Sequence, residues 1–392
     1  MARSGILRAM SSEMRFDFLV IGAGIAGASV AYELSRSGRV CLIEAESQPG
    51  FHATGRSAAL FAPSYGGREI RAATRASRAF FDRPPPGFCE HPLLHRRGVL
   101  YVARSDQAPR LRAMVAKIRA SDGTIDMIPN QAAIASVPLL REQYVAAAAL
   151  DADAMDIDVA ALHQGFLRGA RAAGARLVMN TRVAHIGRRN GLWKIQSIDG
   201  SAFAPVLINA AGAWADEVAE TCGAQPLGLR PYRRTAVLVD AVGDIDVRAW
   251  PAVIDADEQF YFKPDAGKLL LSPADETPEV AGDAHAEELD IATCVERTEA
   301  VLDIKVRRIG RSWAGLRTFA ADRIPVVGFD ADVAGFFWCA GQGGYGIQTA
   351  PALARMAAAL AKREALPPEV TSEGLMVGDL TPTRFVGCAA VP

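Results

Sequence analysis

The sequence predicts an α/β protein of two domains, each assembled from non-contiguous stretches of chain. Three observations carry this reading. The 392 residues exceed the usual domain size of about 100–200 residues. Residues 16–44 spell a βαβ unit, and from residue 226 to about residue 310 the pattern changes to period-two strands with a hairpin. Half of the residues are hydrophobic and 22% are charged, enough for a sizeable core and unlike a disordered or low-complexity chain.

In chain order, the apolar run 16–21 reads as a strand ending in glycines, and Ile25, Ala28, Ser29, Tyr32 and Leu34 follow at helical spacing. Gly38 stops that helix, and 39–44 reads as a second buried strand. The Gly/Ser/Thr-rich stretch 49–67 reads as a long irregular loop. Three prolines at 84–86 break the pattern before a mixed region over 88–150. Asp158 is placed to cap a helix carrying Val159, Leu162, Phe166, Leu167 and Ala170, after which 175–179 returns as a strand. Residues 204–209 form a buried strand entering a tight turn at Gly212, and 265–268 is the hairpin turn. The acidic stretch 275–290 reads as a solvated surface. A strand, the glycine cluster 341–346 and an alanine-rich helix over 347–362 complete the chain. The expected boundaries are 15–90, 150–215 and 310–392 for the first domain, and 91–149 and 216–309 for the second. Residues 1–14 read as a short extension, because Met10 and Met14 both precede the first strand.

Lys plus Arg is 43 against 44 for Asp plus Glu, a net charge of -1, which leaves no field to hold nucleic acid or an anionic membrane. Six cysteines without paired spacing suggest neither a disulfide framework nor a zinc ribbon. Arg3, Arg8 and Arg15 flank only Ile6 and Leu7, too short an apolar core for a secretion signal, and no run of apolar residues is long enough to cross a bilayer. A cytoplasmic protein is expected, with membrane contact at most peripheral, at the inner face. Cys89, His91 and His95 do not make a metal site, because Pro92 disrupts helical spacing.

Gly22-Ala23-Gly24-Ile25-Ala26-Gly27 fits G-x-G-x-x-G between strand and helix, and the second strand ends at Glu44. Small residues are needed here because a pyrophosphate sits on helix N-terminal N–H groups and a β-carbon would hold the backbone away; Glu44 is placed to accept from ribose hydroxyls. The fingerprint alone does not separate NAD from FAD. Two further segments do. Thr54, Gly55, Arg56, Ser57 and Ala58 form a loop suited to lie along an extended FAD, and Gly343, Tyr345, Gly346 and Ile347 open a helix whose positive end suits the flavin edge that becomes negative on reduction.

With these segments in order, and with Trp313-Ala314-Gly315-Leu316-Arg317 ahead of Asp322-Arg323-Ile324-Pro325 and the Gly341 loop, the chain resembles the glycine-oxidase and D-amino-acid-oxidase class of FAD-dependent amine oxidoreductases. Within that class it is most similar to bacterial D-arginine dehydrogenases, from about residue 18 to residue 362, through such segments as Gly55-Arg56-Ser57-Ala58-Ala59, Ala161-Leu162-His163-Gln164-Gly165 and Gly343-Gly344-Tyr345-Gly346-Ile347-Gln348. The resemblance implies an FAD-binding Rossmann-type domain plus a substrate domain with a mostly antiparallel β-sheet. It adds Ala45, Val183 and Gly212 to the FAD-binding set. The cofactor is expected to be noncovalent, because 318–321 lacks the cysteine that holds flavin in sarcosine oxidases.

Oxidising an amino acid by flavin needs a cation for the carboxylate, a neutral amine and the α C–H aimed at flavin N5. Arg317 matches the family's carboxylate anchor, and its guanidinium fork suits a bidentate grip. Strand alternation sends Phe260 and Phe262 to one face and Tyr261 to the other, where the resemblance makes it a carboxylate partner. Arg233 and Arg234 face opposite ways by the same rule, and Arg234 matches the substrate side. The resemblance also implies that Tyr65 lies on a mobile loop closing over the substrate, and that Gly344 and Gln348 contact the substrate amine or the flavin edge. Val99 and Leu60 stand where D-arginine dehydrogenases carry a glutamate and a histidine. A cationic side chain buried against Val99 would lack a partner. The implied reaction is oxidative deamination of D-amino acids, neutral or apolar in preference to cationic: hydride passes from Cα to flavin N5, and the imino acid is hydrolysed to a 2-oxo acid and ammonia. Oxygen, a quinone or another acceptor then reoxidises the flavin, and no motif says which. Oxidation of N-methyl amino acids or 2-hydroxy acids, and a non-catalytic FAD-binding protein, are the competing readings.

Overall fold

The structure is a computed structural model that describes residues 13–121, 123–183, 185–197, 200–240 and 245–385. A six-stranded sheet runs in the order Arg176–Val178, Val40–Ile43, Phe18–Ile21, Val206–Asn209, Phe336–Ala340, Val326–Phe329. The first five strands are mutually parallel and the last is antiparallel. The central strands are largely apolar because both faces are covered. Val20, Leu42, Ile208 and Phe337 pack against the helices Ile25–Ser35, Val159–Ala172 and Gly346–Lys362. One residue on, Leu19, Cys41, Leu207, Phe336 and Trp338 turn the other way, towards Trp193, Ile195, Ala202 and Ala204. Those belong to a four-stranded sheet of Glu13–Arg15, Gly200–Ala204, Leu192–Ser197 and Ile186–Arg189. Glu13–Arg15 thus extends a sheet by pairing with 201–203, where sequence reading placed an extension; residues 1–12 of that stretch lie outside the described residues.

The second large sheet contains Val99–Ala103, Ile125–Ile128, Ala147–Asp151, Arg230–Val239, Ala252–Asp255, Tyr261–Asp265, Lys268–Ser272, Thr277–Pro278 and Ile309–Phe319. All of its pairings are antiparallel except that of Val99–Ala103 with Ala252–Asp255. The 265–268 hairpin closes with Ala266 and Gly267 both at positive φ, 48° and 80°, the type I′ geometry that matches strand twist. One expected boundary is corrected. Ile309–Phe319, placed in the first domain from residue 310 onward, pairs along its length with Arg230–Val239 in the second sheet.

The acidic stretch is refined too. Glu276, Asp283, Glu287 and Glu288 are exposed, as a surface stretch should be, but the Asp275 side chain is buried, its carboxylate accepting from Thr235 N (2.7 Å) and Oγ1 (3.0 Å), and Asp290, Glu287 and Glu279 surround the buried Arg233. The stretch is the counter-charge for arginines on the Arg230–Val239 strand. Composition could not reveal this, because partners and arginines are 41 to 57 residues apart.

Candidate active site

A cavity of ≈ 420 Å³ opens where the carboxyl ends of Phe18–Ile21 and Val40–Ile43 face the large antiparallel sheet, the usual ligand position in a doubly wound fold. At the fingerprint the walls are backbone. Gly22 sits at φ 95°, where a β-carbon would run into the Ala210 carbonyl, and a β-carbon on Gly27 would overlap the Gly22 carbonyl oxygen. Ala26 lines the cavity beside Gly22 and Gly24, whereas Gly27 shapes the turn from behind. Glu44 is almost fully buried. Its carboxylate accepts from Ala23 N (2.7 Å) and Glu46 N (3.0 Å), so the backbone aims it while it lines the cavity next to Ala45. Thr54 Oγ1 accepts from Ile25 N at 2.9 Å and ties the second loop to the helix start. Ser57, Ala58, Val183 and Gly212 also line the cavity. Gly55 does not; it makes the turn in which its N donates to Gly50 O at 2.8 Å.

His163 backs the fingerprint. Its Nε2 lies 2.8 Å from Ala23 O, a geometry that requires the proton on Nε2. Burial holds the ring below its ordinary 6.5, with the Ala23 carbonyl and Glu44 acting in the opposite sense. Below pH 6.5 the unfolded chain therefore binds a proton that the folded chain resists, so stability is complete above that pH and declines as pH falls below it. Melting curves from about pH 7.5 to about pH 5 check this: wild type should lose more of its Tm than His163→Gln, whose amide can still donate to Ala23. Equal slopes would remove His163 from the account.

Arg56 lines the cavity, but its guanidinium is fully engaged by protein. It donates to Ala284 O (2.8 Å), Ala314 O (2.9 Å) and Phe51 O (3.3 Å) and pairs with Asp283, while Trp313 Nε1 donates to its carbonyl at 3.0 Å. The side chain that lines the cavity is thus also a tie between the 50–58 loop and the second sheet.

At the other end the register of Arg230–Val239 against Ile309–Phe319 sets Tyr232 opposite Arg317 and Arg234 opposite Gly315. Arg234 and Arg317 therefore share a face and both line the cavity with Tyr261. Their pairing differs. Arg234 is buried, donating to Asp275 O (2.8 Å) and Glu276 Oε1 (3.1 Å), and Glu276 also takes Arg323 at 2.7 Å. Among the described residues Arg317 has no hydrogen-bond or ion-pair partner. Burial works against its charge, and the facing Tyr261, Tyr65, Tyr345 and Glu258 outweigh that, holding the guanidinium above the ordinary arginine range.

Gly344 lies against Arg317, where a β-carbon would stand 2.9 Å from Nη1. Gly343, at φ 54°, turns the chain over the Phe319 ring, and Gly346 and Ile347 bring the start of the 17-residue helix Gly346–Lys362 to the cavity wall. Tyr345 packs on Tyr65 (ring centroids 5.2 Å) and Phe319. Gln348 is buried behind the wall, accepting from Ala62 N at 3.0 Å. Burial, then Glu258, pushes the Tyr65 phenol above its ordinary range. Val99, Leu60 and Tyr65 are not among the residues that line the cavity; they belong to an apolar cluster with Ala62 and Tyr101.

Sequence reading missed Glu276, Glu258, His52 and Trp214. Glu258 stands at φ 54° on a turn whose N–H groups converge on the buried Asp255, and the Asp-Ala-Asp-Glu run at 255–258 was the available signal. His52 and Trp214, ring centroids 4.7 Å apart on the cavity wall, carried none.

This donor set fits an FAD: a glycine cradle that β-carbons would fill, a fixed carboxylate one strand away, and a long helix opening at the far wall. The same is found by comparison. The pattern of the FAD dependent oxidoreductases matches residues 17–360. The chain is 24% identical to hydrogen cyanide synthase subunit HcnC of Pseudomonas aeruginosa over 91% of this chain and 94% of that one. It is 25% identical to a glycine oxidase of Bacillus licheniformis over 88% and 92%. The crystal structure of glycine oxidase from Geobacillus kaustophilus superposes with a TM-score of 0.80 at 21% identity, covering 93% of this chain and 99% of that one. The chain belongs to the family of FAD dependent oxidoreductases that includes the glycine oxidases.

Proposed function

We propose that the protein oxidatively deaminates D-amino acids with neutral or apolar side chains, using noncovalent FAD. The observation that carries this is Arg317, a guanidinium at the cavity wall without a protein anion. A guanidinium so placed, held charged by its neighbours and hydrogen-bonded to none of them, is free to take a ligand anion, and a substrate carboxylate is that anion. Tyr261 presents its hydroxyl on the same wall while Phe260 and Phe262 lie in the core behind it, so Arg317 and Tyr261 together fix the carboxylate and leave the α-carbon oriented. Arg234, held by Asp275 and Glu276 through Nε and Nη2, lines the same wall and adds positive charge to it. The preference for uncharged side chains rests on the sequence, in which Val99 and Leu60 stand where D-arginine dehydrogenases carry a glutamate and a histidine. Bound FAD supplies the two-electron acceptor that turns amine into imine, and water hydrolyses the imino acid to a 2-oxo acid and ammonia. Noncovalent binding is the reading of 318–321, which carries no cysteine.

Arg317 grips any small carboxylate, so N-methyl amino acids and 2-hydroxy acids belong in the test. Purified protein mixed anaerobically with matched D- and L-amino acids, sarcosine and lactate should lose its flavin colour fastest with a neutral D-amino acid, and admitting air then reports whether oxygen is the acceptor. Fastest bleaching by D-arginine would overturn the side-chain preference; bleaching by L-isomers alone would overturn the stereochemistry.

A further inference from the structure

Tyr65 is the middle residue of a three-residue turn, and the residues on either side of it are held by two buried charges. On one side is Asp151, which is fully buried at the end of the Ala147–Asp151 strand. Its carboxylate takes both the hydroxyl and the N–H of Ser64, the latter at 3.3 Å, and its other oxygen accepts from Asp153 N at 3.1 Å. On the other side is Arg71, 6% exposed, whose Nη1 donates to Gly66 O at 2.7 Å and Nη2 to Ser121 Oγ at 3.0 Å. Among the described residues neither charge has an ion-pair partner. A buried carboxylate and a buried guanidinium would ordinarily be paired with opposite charge; here each is directed to neutral atoms of the same turn.

The turn has little freedom of its own. Tyr65 N donates to Ala62 O at 3.1 Å. Gly66 takes φ 91°, and a β-carbon there would press on Ile70. The Tyr65 ring rests against Tyr345, next to Arg317.

We propose that Asp151 and Arg71 are positioning residues that grip the chain at Ser64 and Gly66 and hold the Tyr65 phenol in place beside Arg317, so that the loop is a fixed support for the Arg317 end of the cavity and not a mobile lid. Neither residue touches substrate; both act through the turn. The inference rests on the placement of the substrate at Arg317 and on Tyr65 contributing to it.

The test compares holoenzyme variants Ser64→Ala, Arg71→Met, Arg71→Lys and Tyr65→Phe, using rapid anaerobic flavin reduction at varied substrate concentration and hydrogen exchange across residues 60–67. Ser64→Ala and Arg71→Met should each raise the substrate concentration for half-maximal reduction by about fivefold or more while changing the limiting rate by less than about twofold. Exchange at 64–67 should quicken in the same variants, and Arg71→Lys should restore part of both effects. If exchange in wild type is already as fast as in exposed loops, or if Ser64→Ala and Arg71→Met bind substrate as wild type does while Tyr65→Phe does not, the clamp is wrong. If Tyr65→Phe itself leaves binding and rate unchanged, the placement of substrate beside Tyr65 fails instead, and quickened exchange would still report the grip on the turn. Melting curves identify any variant that fails to fold.

Discussion

Replacing Arg317 with methionine is expected to leave a folded, yellow protein that has lost about 2–5 kcal/mol of transition-state stabilisation, the usual cost of removing one partner from a buried hydrogen-bonded charge pair. That is a fall in kcat/KM of roughly 30- to 4,000-fold. The same substitution should leave Tm nearly unchanged. In the free protein Arg317 faces Tyr261, Tyr65, Tyr345 and Glu258 without a hydrogen bond to any of them, so methionine removes no bond that the fold depends on. Arg317→Lys keeps the charge and loses the fork, and is expected to recover only part of the activity. Steady-state kinetics and thermal melts on the same samples check both halves. A drop in Tm matching the drop in activity would mean that Arg317 is a structural cation and that the carboxylate binds elsewhere.

Gly27→Ala is the second large effect. A β-carbon at Gly27 has nowhere to go but into the Gly22 carbonyl, and Gly22 cannot retreat because the Ala210 carbonyl stands where its own β-carbon would be. The fingerprint must open, at a cost of about 1–3 kcal/mol for an overpacked core, and the cradle loses its shape. The protein should be isolated nearly colourless, with FAD affinity lowered by about 100-fold or more, equivalent to about 3 kcal/mol. Gly24→Ala is the graded control, since its β-carbon would meet only Thr54 Oγ1 at 3.3 Å. Flavin fluorescence titration of both apoproteins decides it; Gly27→Ala holding flavin as wild type does would place the pyrophosphate elsewhere.

What was legible in the sequence is what short segments decide by themselves. The 22–27 turn, the Asp158 cap accepting from Ala161 N, the 265–268 hairpin and the alternation of Phe260, Tyr261 and Phe262 all depend on neighbours within a few residues. What was not legible depends on partners far away in sequence. Arg56 reads as part of a loop along an extended FAD, yet three of its acceptors lie 227 to 258 residues on. Asp275–Asp290 reads as solvated surface until the Arg230–Val239 strand brings Arg233 and Arg234 to it. The strand Ile309–Phe319 has the apolar pattern of either sheet, and only its register with Arg230–Val239 assigns it. Ser64 and Asp151 stand 87 residues apart, and no local pattern marks either as the other's partner.

The Arg56 tie has a thermodynamic corollary. Gly282 and Ala284 form part of the same cavity wall as Gly22 and Glu44, so a dinucleotide filling the cavity touches chain on both sides of the Arg56–Asp283 contact. Cofactor binding and apposition of the two sheets are then linked functions: each strengthens the other by the same free energy, and loss of the cofactor weakens the apposition that shapes the substrate end.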